Sequence, residues 1–336
     1  MITQTSSLEL SHFPVMLNEI LKISSPSSGG NFLDCTFGGG GYSKEILKFN
    51  NTNVLAIDRD EKILSIAKEI KKKFPKRFQF YQKKFSELND LSHDKVDVVI
   101  FDLGISSIQL DDLTRGFSFN SEKELNMAMG LNKITAMEAV NNLGELDLKL
   151  IIKVLGDEKE ASRIAKNIIQ FRSEKKIIQT SDLVKIIKKS KKKNYLNKIN
   201  PCTKTFQALR IFVNKEITEL VNGLINATKK LKPGGKILAI SFHSIEDRII
   251  KYYFSNFSKN RSRPSRYLPE DKKNKLILFE EYKNKVIVPS KNELSQNSRS
   301  RSAKLRFAIR SKNKFEYPKE IFKKFKKYLE LEEINV

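Results

Sequence analysis

Two hydrophobic rhythms alternate along the first hundred residues. Short apolar runs at Phe32-Leu33, Val54-Leu55-Ala56-Ile57, Phe78 to Tyr81 and Val96 to Phe101 have the length and β-branched content of buried strands. Between them, residues 42–49 and 61–73 space their apolar side chains as helices do, with Ile63, Leu64, Ile66, Ala67 and Ile70 on one side. An amphipathic segment, 15–21, precedes the first run. Strands alternating with helices predict a parallel, doubly wound α/β sheet. From about Asp111 the alternation stops, and residues 111–204 show helical spacing without strands, as at Leu146, Leu150, Ile151 and Val154 or Ile164, Ala165, Ile168 and Ile169. The stripe Phe206, Leu209, Val213, Ile217, Leu220, Leu224 then predicts one long helix. Lys232-Pro233-Gly234-Gly235 reads as a tight turn, 236–242 as a fifth strand, 245–254 as a helix, and 285–288 and 305–309 as closing strands. The expected division is a sheet domain in two parts, 1–110 and 205–311, an all-helical insertion at 111–204 and a lysine-rich tail at 312–336.

The first strand runs into Asp34-Cys35-Thr36-Phe37-Gly38-Gly39-Gly40-Gly41-Tyr42-Ser43. Successive glycines between a strand and a helix let a ligand approach the main chain. Ligands in such sheets sit beyond the carboxyl ends of the strands, which makes Gly38, Gly39, Gly40, Gly41, Tyr42, Asp58, Phe85 and Asp102 site candidates. Asp58, eighteen residues past Gly40, suits the hydroxyls of a ribose. A dinucleotide fingerprint wants a third glycine where Ser43 stands, and no Walker pattern occurs. Asp102 and the Lys-Pro-Gly-Gly turn favour S-adenosylmethionine.

Charge changes the picture next. The 336 residues carry 63 Lys and Arg against 39 Asp and Glu, a net +24, which attracts polyanions and makes nucleic acid the expected partner. The excess is concentrated: residues 259–306 hold 14 basic and 5 acidic side chains, and 183–198 hold seven lysines and no acid. The basic loop spans 256–303. Two distant cysteines, Cys35 and Cys202, and three histidines offer no zinc pattern and no disulfide framework. No apolar run is long enough to span a membrane and the first residues lack a signal-peptide layout, so a cytoplasmic protein without metal is expected.

These residues resemble one family, the bacterial ribosomal RNA cytosine-N4 methyltransferases acting on the small subunit. The resemblance lies in His12-Phe13-Pro14-Val15-Met16-Leu17, the glycine stretch, Ala56-Ile57-Asp58-Arg59-Asp60, and 102–111 (DLGISSIQLD). It continues through Arg115-Gly116-Phe117-Ser118-Phe119, 205–210 (TFQALR), 241–248 (SFHSIEDR) and 299–306 (RSRSAKLR). It implies a class I, Rossmann-like methyltransferase sheet with a helical insertion, S-adenosylmethionine as cofactor, and the N4 amine of a cytidine in the decoding region of 16S rRNA as acceptor. The substrate would be that RNA, expected within the assembled small subunit, and a homodimer is left open. Cofactor contacts carried over are Gly40, Gly41, Tyr42, Asp58, Phe85, Asp102 and Gln109. Two positions depart from the family: Tyr42 stands where histidine is usual, and Asn126-Met127-Ala128-Met129-Gly130 replaces Asp-Met-Arg-Met-Asp. On the acceptor side we expect Asp102 with Ser106 and Ser107 to hold the amine, Phe242 or His243 to bound the base, and His243 to take the proton. Arg299, Arg301, Lys304 and Arg306, with the lysines of 185–198, are expected to meet phosphates. A DNA amine methyltransferase would share the cofactor half, but its Pro-Pro-aromatic signature is replaced by Leu103-Gly104-Ile105. A noncatalytic RNA-binding assembly protein would keep the basic loop without needing the crevice.

Overall fold

The computed structural model describes residues 14–91, 95–191, 200–260 and 276–336. His12, Phe13, Lys192, Lys193, Lys198 and the centre of the basic loop lie outside them. Along the chain come α1 (Leu17–Ser24), β1 (Gly30–Asp34), α2 (Gly41–Leu47), β2 (Thr52–Asp58), α3 (Leu64–Lys73), β3 (Phe78–Gln82), β4 (Val96–Asp102) and α4 (Ser107–Asp111). Four helices follow, α5 (Ala136–Asn142), α6 (Glu145–Leu155), α7 (Ala161–Glu174) and α8 (Thr180–Ser190). The chain then runs through α9 (Thr203–Asn214), α10 (Glu216–Lys230), β5 (Leu231–Ser241), α11 (Ser244–Asn256), α12 (Lys291–Gln296), β6 (Lys304–Ile309) and α13 (Glu320–Glu332).

The six strands form one sheet in the order β3-β2-β1-β4-β5-β6, parallel except for β6, which runs antiparallel to β5. Period-two alternation feeds both faces. Phe32, Val54, Ala56, Val98, Ile100, Leu238 and Ile240 pack on one side with α1 to α3, and Leu33, Leu55, Ile57, Val99, Phe101, Ile237 and Ala239 on the other with α10, α11 and the inserted helices. Burial on both faces is why these strands read as unbroken apolar runs.

Three local expectations are corrected. The stripe from Phe206 to Leu224 is two helices, broken at Lys215, whose φ of 48° is left-handed. Asn214 makes the break: its side-chain amide donates to the carbonyls of Arg210 and Met127, and its Oδ1 accepts from the Met129 N–H. The apolar spacing continues across the break, so periodicity does not register it. The Lys-Pro-Gly-Gly turn is a bulge within β5, because Val96 faces Leu231 while Val98 faces Lys236. Of 285–288 only Ile287 bridges, to Leu305. Among the described residues no helix is long and apolar enough to cross a membrane.

Candidate active site

The carboxyl ends of β1, β2 and β4, the turns after β3 and β5, and the start of α10 converge on a cavity of about 970 Å³. The glycine turn forms one wall. As β1 ends, the Cys35 N–H donates to Ile100 O and the Phe37 N–H to Ile57 O, so the departing chain is held to both neighbouring strands. Gly38 and Gly40 have φ of 48° and 73°, and a Cβ on Gly40 would sit 2.7 Å from Ile70 Cδ1. A Cβ on Gly39 would meet nothing within 4 Å, so the turn presents bare backbone to the cavity. Ser43, in place of a third glycine, donates to the buried Asp34 (2.7 Å), whose pKa burial pushes up to about 6.

Asp58 closes this wall. Its Oδ2 accepts the Gly38 N–H and its Oδ1 the Asp60 N–H, both at 2.9 Å, and each oxygen keeps a further lone pair for a ribose hydroxyl. Burial raises its pKa. Asp60 beside it is held low, despite its burial, by Arg115 at 2.5 Å and the Gln109 amide at 2.8 Å. Gln109 also accepts the Ser106 N–H and donates its own backbone N–H to Ser106 Oγ. It lines the cavity while its amide ties the Ser106-Ser107 turn to the end of β2.

Phe85 lies edge-on to Phe101 with centroids 5.3 Å apart. Glu219 of α10 accepts from the backbone and hydroxyl of Ser86 (3.0 and 2.9 Å), fixing that turn. Gly223, one turn on, leaves room for the ring: a Cβ there would fall 2.8 Å from Phe85 Cβ.

Asp102 faces the same space from β4. Its Oδ2 lies 3.2 Å from the Tyr42 hydroxyl, while its Oδ1 is buried with no hydrogen-bond partner. Burial, and then the nearby carboxylates Asp34, Glu246 and Glu293, raise its pKa to about 7 against the hydrogen bond from Tyr42. The Tyr42 hydroxyl is also 2.5 Å from Val15 O, tying the N-terminal strap to the wall. Glu293 of α12 grips that strap from outside, accepting the Met16 N–H at 2.7 Å.

On the acceptor side the expectations divide. Phe242, Ser106 and Ser107 line the cavity; His243 does not. His243 sits at the N-cap of α11 with Nε2 3.1 Å from Glu246 and is not among the residues lining the cavity, which corrects its placement at the base. Glu246 lines the cavity instead, with Oε2 accepting the N–H groups of Phe242 and His243. Against its burial, the charges of His243 and Arg210 keep its pKa low. Glu216, His243 and Glu246 could between them ligate a metal ion. Glu216 is already paired, its two oxygens accepting from the Arg210 guanidinium at 2.8 and 2.9 Å.

The basic residues divide too. Arg299 reaches the cavity rim and pairs with Asp111 at 2.7 Å, Arg301 is exposed, and Lys304 is half-exposed beside Asp247. Arg306 is 6% exposed, bound to Asp247 (2.7 Å) and Tyr282 (3.1 Å), so its guanidinium is spent inside the fold and is not free for a phosphate. Arg59, Met129 and Glu246, which the motifs contain without an expected role, and Glu216 and Glu219, which lie in none of them, also line the cavity. The departure at 126–130 falls here: Gly130, at φ 52°, packs so closely on Arg59 that a Cβ would lie 1.8 Å from its carbonyl oxygen.

A bare glycine turn, a carboxylate placed for a ribose and an orphaned acid on β4, in a sheet whose last strand is reversed, place this fold among the class I S-adenosylmethionine-dependent methyltransferases. Sequence relatives narrow the class. The chain belongs to the MraW methylase family, whose profile matches residues 9–311. It is 43% identical over 305 residues to the ribosomal RNA small subunit methyltransferase H of Rickettsia conorii, covering 89% of this chain and 97% of that protein. The protein of the same name from Bartonella grahamii is 42% identical over 300 residues (89% and 90%), and that from Ehrlichia canis 41% over 304 (89% and 99%).

Proposed function

We propose that this chain methylates the exocyclic N4 amine of a cytidine in the decoding region of small-subunit ribosomal RNA, in the cytoplasm and on the assembled subunit. What carries the reading, beside family membership, is Asp102, which lines the cavity and has one carboxylate oxygen, Oδ1, without a donor. A cytosine amine is a good donor to a carboxylate. When bound, S-adenosylmethionine supplies an electrophilic methyl group on a sulfonium. Gly38 to Gly41 and Asp58 would hold its nucleoside end, with Phe85 beside the adenine. Asp102 Oδ1 accepts one N–H of the amine and aligns the nitrogen with the methyl; alignment supplies most of the rate because the conjugated amine is a poor nucleophile. With the donor bound, the N–C bond would form as the methyl–sulfur bond breaks and the sulfonium leaves as the neutral thioether S-adenosylhomocysteine; the amine becomes acidic and Asp102 is placed to take its proton. Phe242 stacks on the base once it has left its helix. Arg299 and Arg301 meet the flanking phosphates.

The test is mass spectrometry of ribosomal RNA nucleosides after incubating deproteinised RNA and assembled small subunits with protein and S-adenosylmethionine. N4-methylcytidine at one position, formed faster on the assembled subunit, is the expected result. No modified cytidine, together with no calorimetric donor binding, would return the chain to a noncatalytic RNA-binding role.

A further inference from the structure

Helix α13 lies beyond the family match, which ends at residue 311, and no residue of it lines the cavity. It is nonetheless firmly seated. Ile321, Phe325 and Leu331 are buried; Phe325 lies edge-on to Tyr252 (5.4 Å) and the Tyr328 hydroxyl accepts from Arg248 (2.8 Å). At its end Glu332, 1% exposed, accepts the N–H groups of Ile217 (2.9 Å) and Thr218 (2.8 Å) and the Thr218 hydroxyl (2.6 Å), capping the start of α10. This seating turns the opposite side outward. Lys319, Lys323 and Lys327 are exposed and four residues apart, a rise of about 6 Å each. Among the described residues these three side chains make no ion pair or hydrogen bond, whereas Lys326 pairs with Glu330 and Lys324 lies over the Tyr252 ring. Glu320, the one acid from 319 to 329, is turned toward Asn256 (3.1 Å). Lys312 and Lys314, also exposed, extend the basic run toward β6.

We propose that the Lys319-Lys323-Lys327 row is a second contact for the RNA backbone, gripping phosphates away from the cytidine. Like charges at a fixed pitch repel one another unless an anion lies along them, and an evenly charged phosphodiester fits that need. The seating of α13 fixes the backbone that carries the row, so only the side chains need ordering on binding. The proposal rests on the rRNA reading above.

The test compares full-length wild type with Lys319/Lys323/Lys327→Gln and with Lys68/Lys72/Lys76→Gln, which removes equal charge on and just after α3, on the other face of the sheet. Affinity for deproteinised small-subunit rRNA is measured from 50 to 300 mM salt. The row variant is expected to lower the slope of log K against log salt by about 2, from about 0.7 per contact on single strands, with calorimetric donor binding and thermal midpoint unchanged. The α3 variant should keep the wild-type slope. An unmoved slope in the row variant, or equal falls in both variants, would overturn the proposal. Normal methylation with an unmoved slope sinks the row and leaves the reaction; absent methylation with a slope that still falls sinks the reaction and leaves the row.

Discussion

Two buried carboxylates face one cavity from different elements, Asp102 at the end of β4 and Glu246 in the first turn of α11. Burial alone would push both toward protonation. Glu246 escapes because two backbone N–H groups, His243 and Arg210 surround it, and it stays charged. Asp102 has Tyr42 on one oxygen and nothing on the other, with three carboxylates adding to its difficulty, and its pKa rises to about 7. What separates a structural acid from a reactive one here is the supply of donors. Glu246 has spent its acceptor capacity on the fold, and Asp102 holds half of its own in reserve.

The sharpest way to break this contrast is to neutralise each acid in turn. Asp102→Asn should slow single-turnover methyl transfer at saturating donor by about 10² to 10⁴-fold, the range for a lost general base. Glu246→Gln should act mainly on folding, costing ~3 kcal/mol because it strands buried His243 and weakens the cap, as read by denaturant midpoint. Equal losses of transfer in two equally stable variants would erase the distinction.

Titration sharpens the contrast next. With Asp102 near 7, donor affinity measured by calorimetry should weaken by up to tenfold per pH unit below that point, since a neutral acid no longer attracts a sulfonium. The sign for stability is opposite. The folded chain retains protons on Asp34 and Asp102 that the unfolded chain loses near 3.8, so this contribution to stability is complete below that pH and is lost as pH rises to about 7. A flat affinity profile between pH 6 and 8 would show Asp102 already ionised. The smallest effect is expected from Tyr42→Phe, a loss of about 1 kcal/mol in stability with the affinity midpoint moved upward, because the one hydrogen bond favouring the Asp102 carboxylate is gone.

The cavity wall built on the ends of β1, β2 and β4 was legible in sequence because its signal is local. A strand, a glycine turn and an acid ending the next strand are a few residues apart in register, so Gly40, Gly41, Tyr42, Asp58, Phe85, Asp102 and Gln109 all line or adjoin one cavity. The rest of the cavity and its support is not local. Glu216 and Glu219 come from α10, Met129 from a loop pinned by Asn214, and Glu293 grips a strap 277 residues away. Nothing at those positions distinguishes them from other surface acids and apolar residues. Arg306 and His243 show the converse error, since both have chemically suggestive types in suggestive motifs, yet the packing turns one onto Asp247 and the other onto Glu246.

From sequence alone, then, came the alternation that forces a doubly wound sheet, the glycines that must meet a ligand and the charge that must meet a polyanion, because each depends on backbone sterics, spacing or net composition. Tertiary structure alone decided which acids remain unsatisfied, where the long apolar stripe breaks, and that α13 is clamped by Glu332 with its lysines outward. Those outcomes depend on the count of donors and the depth of burial around each group, quantities that exist only once distant segments have packed together.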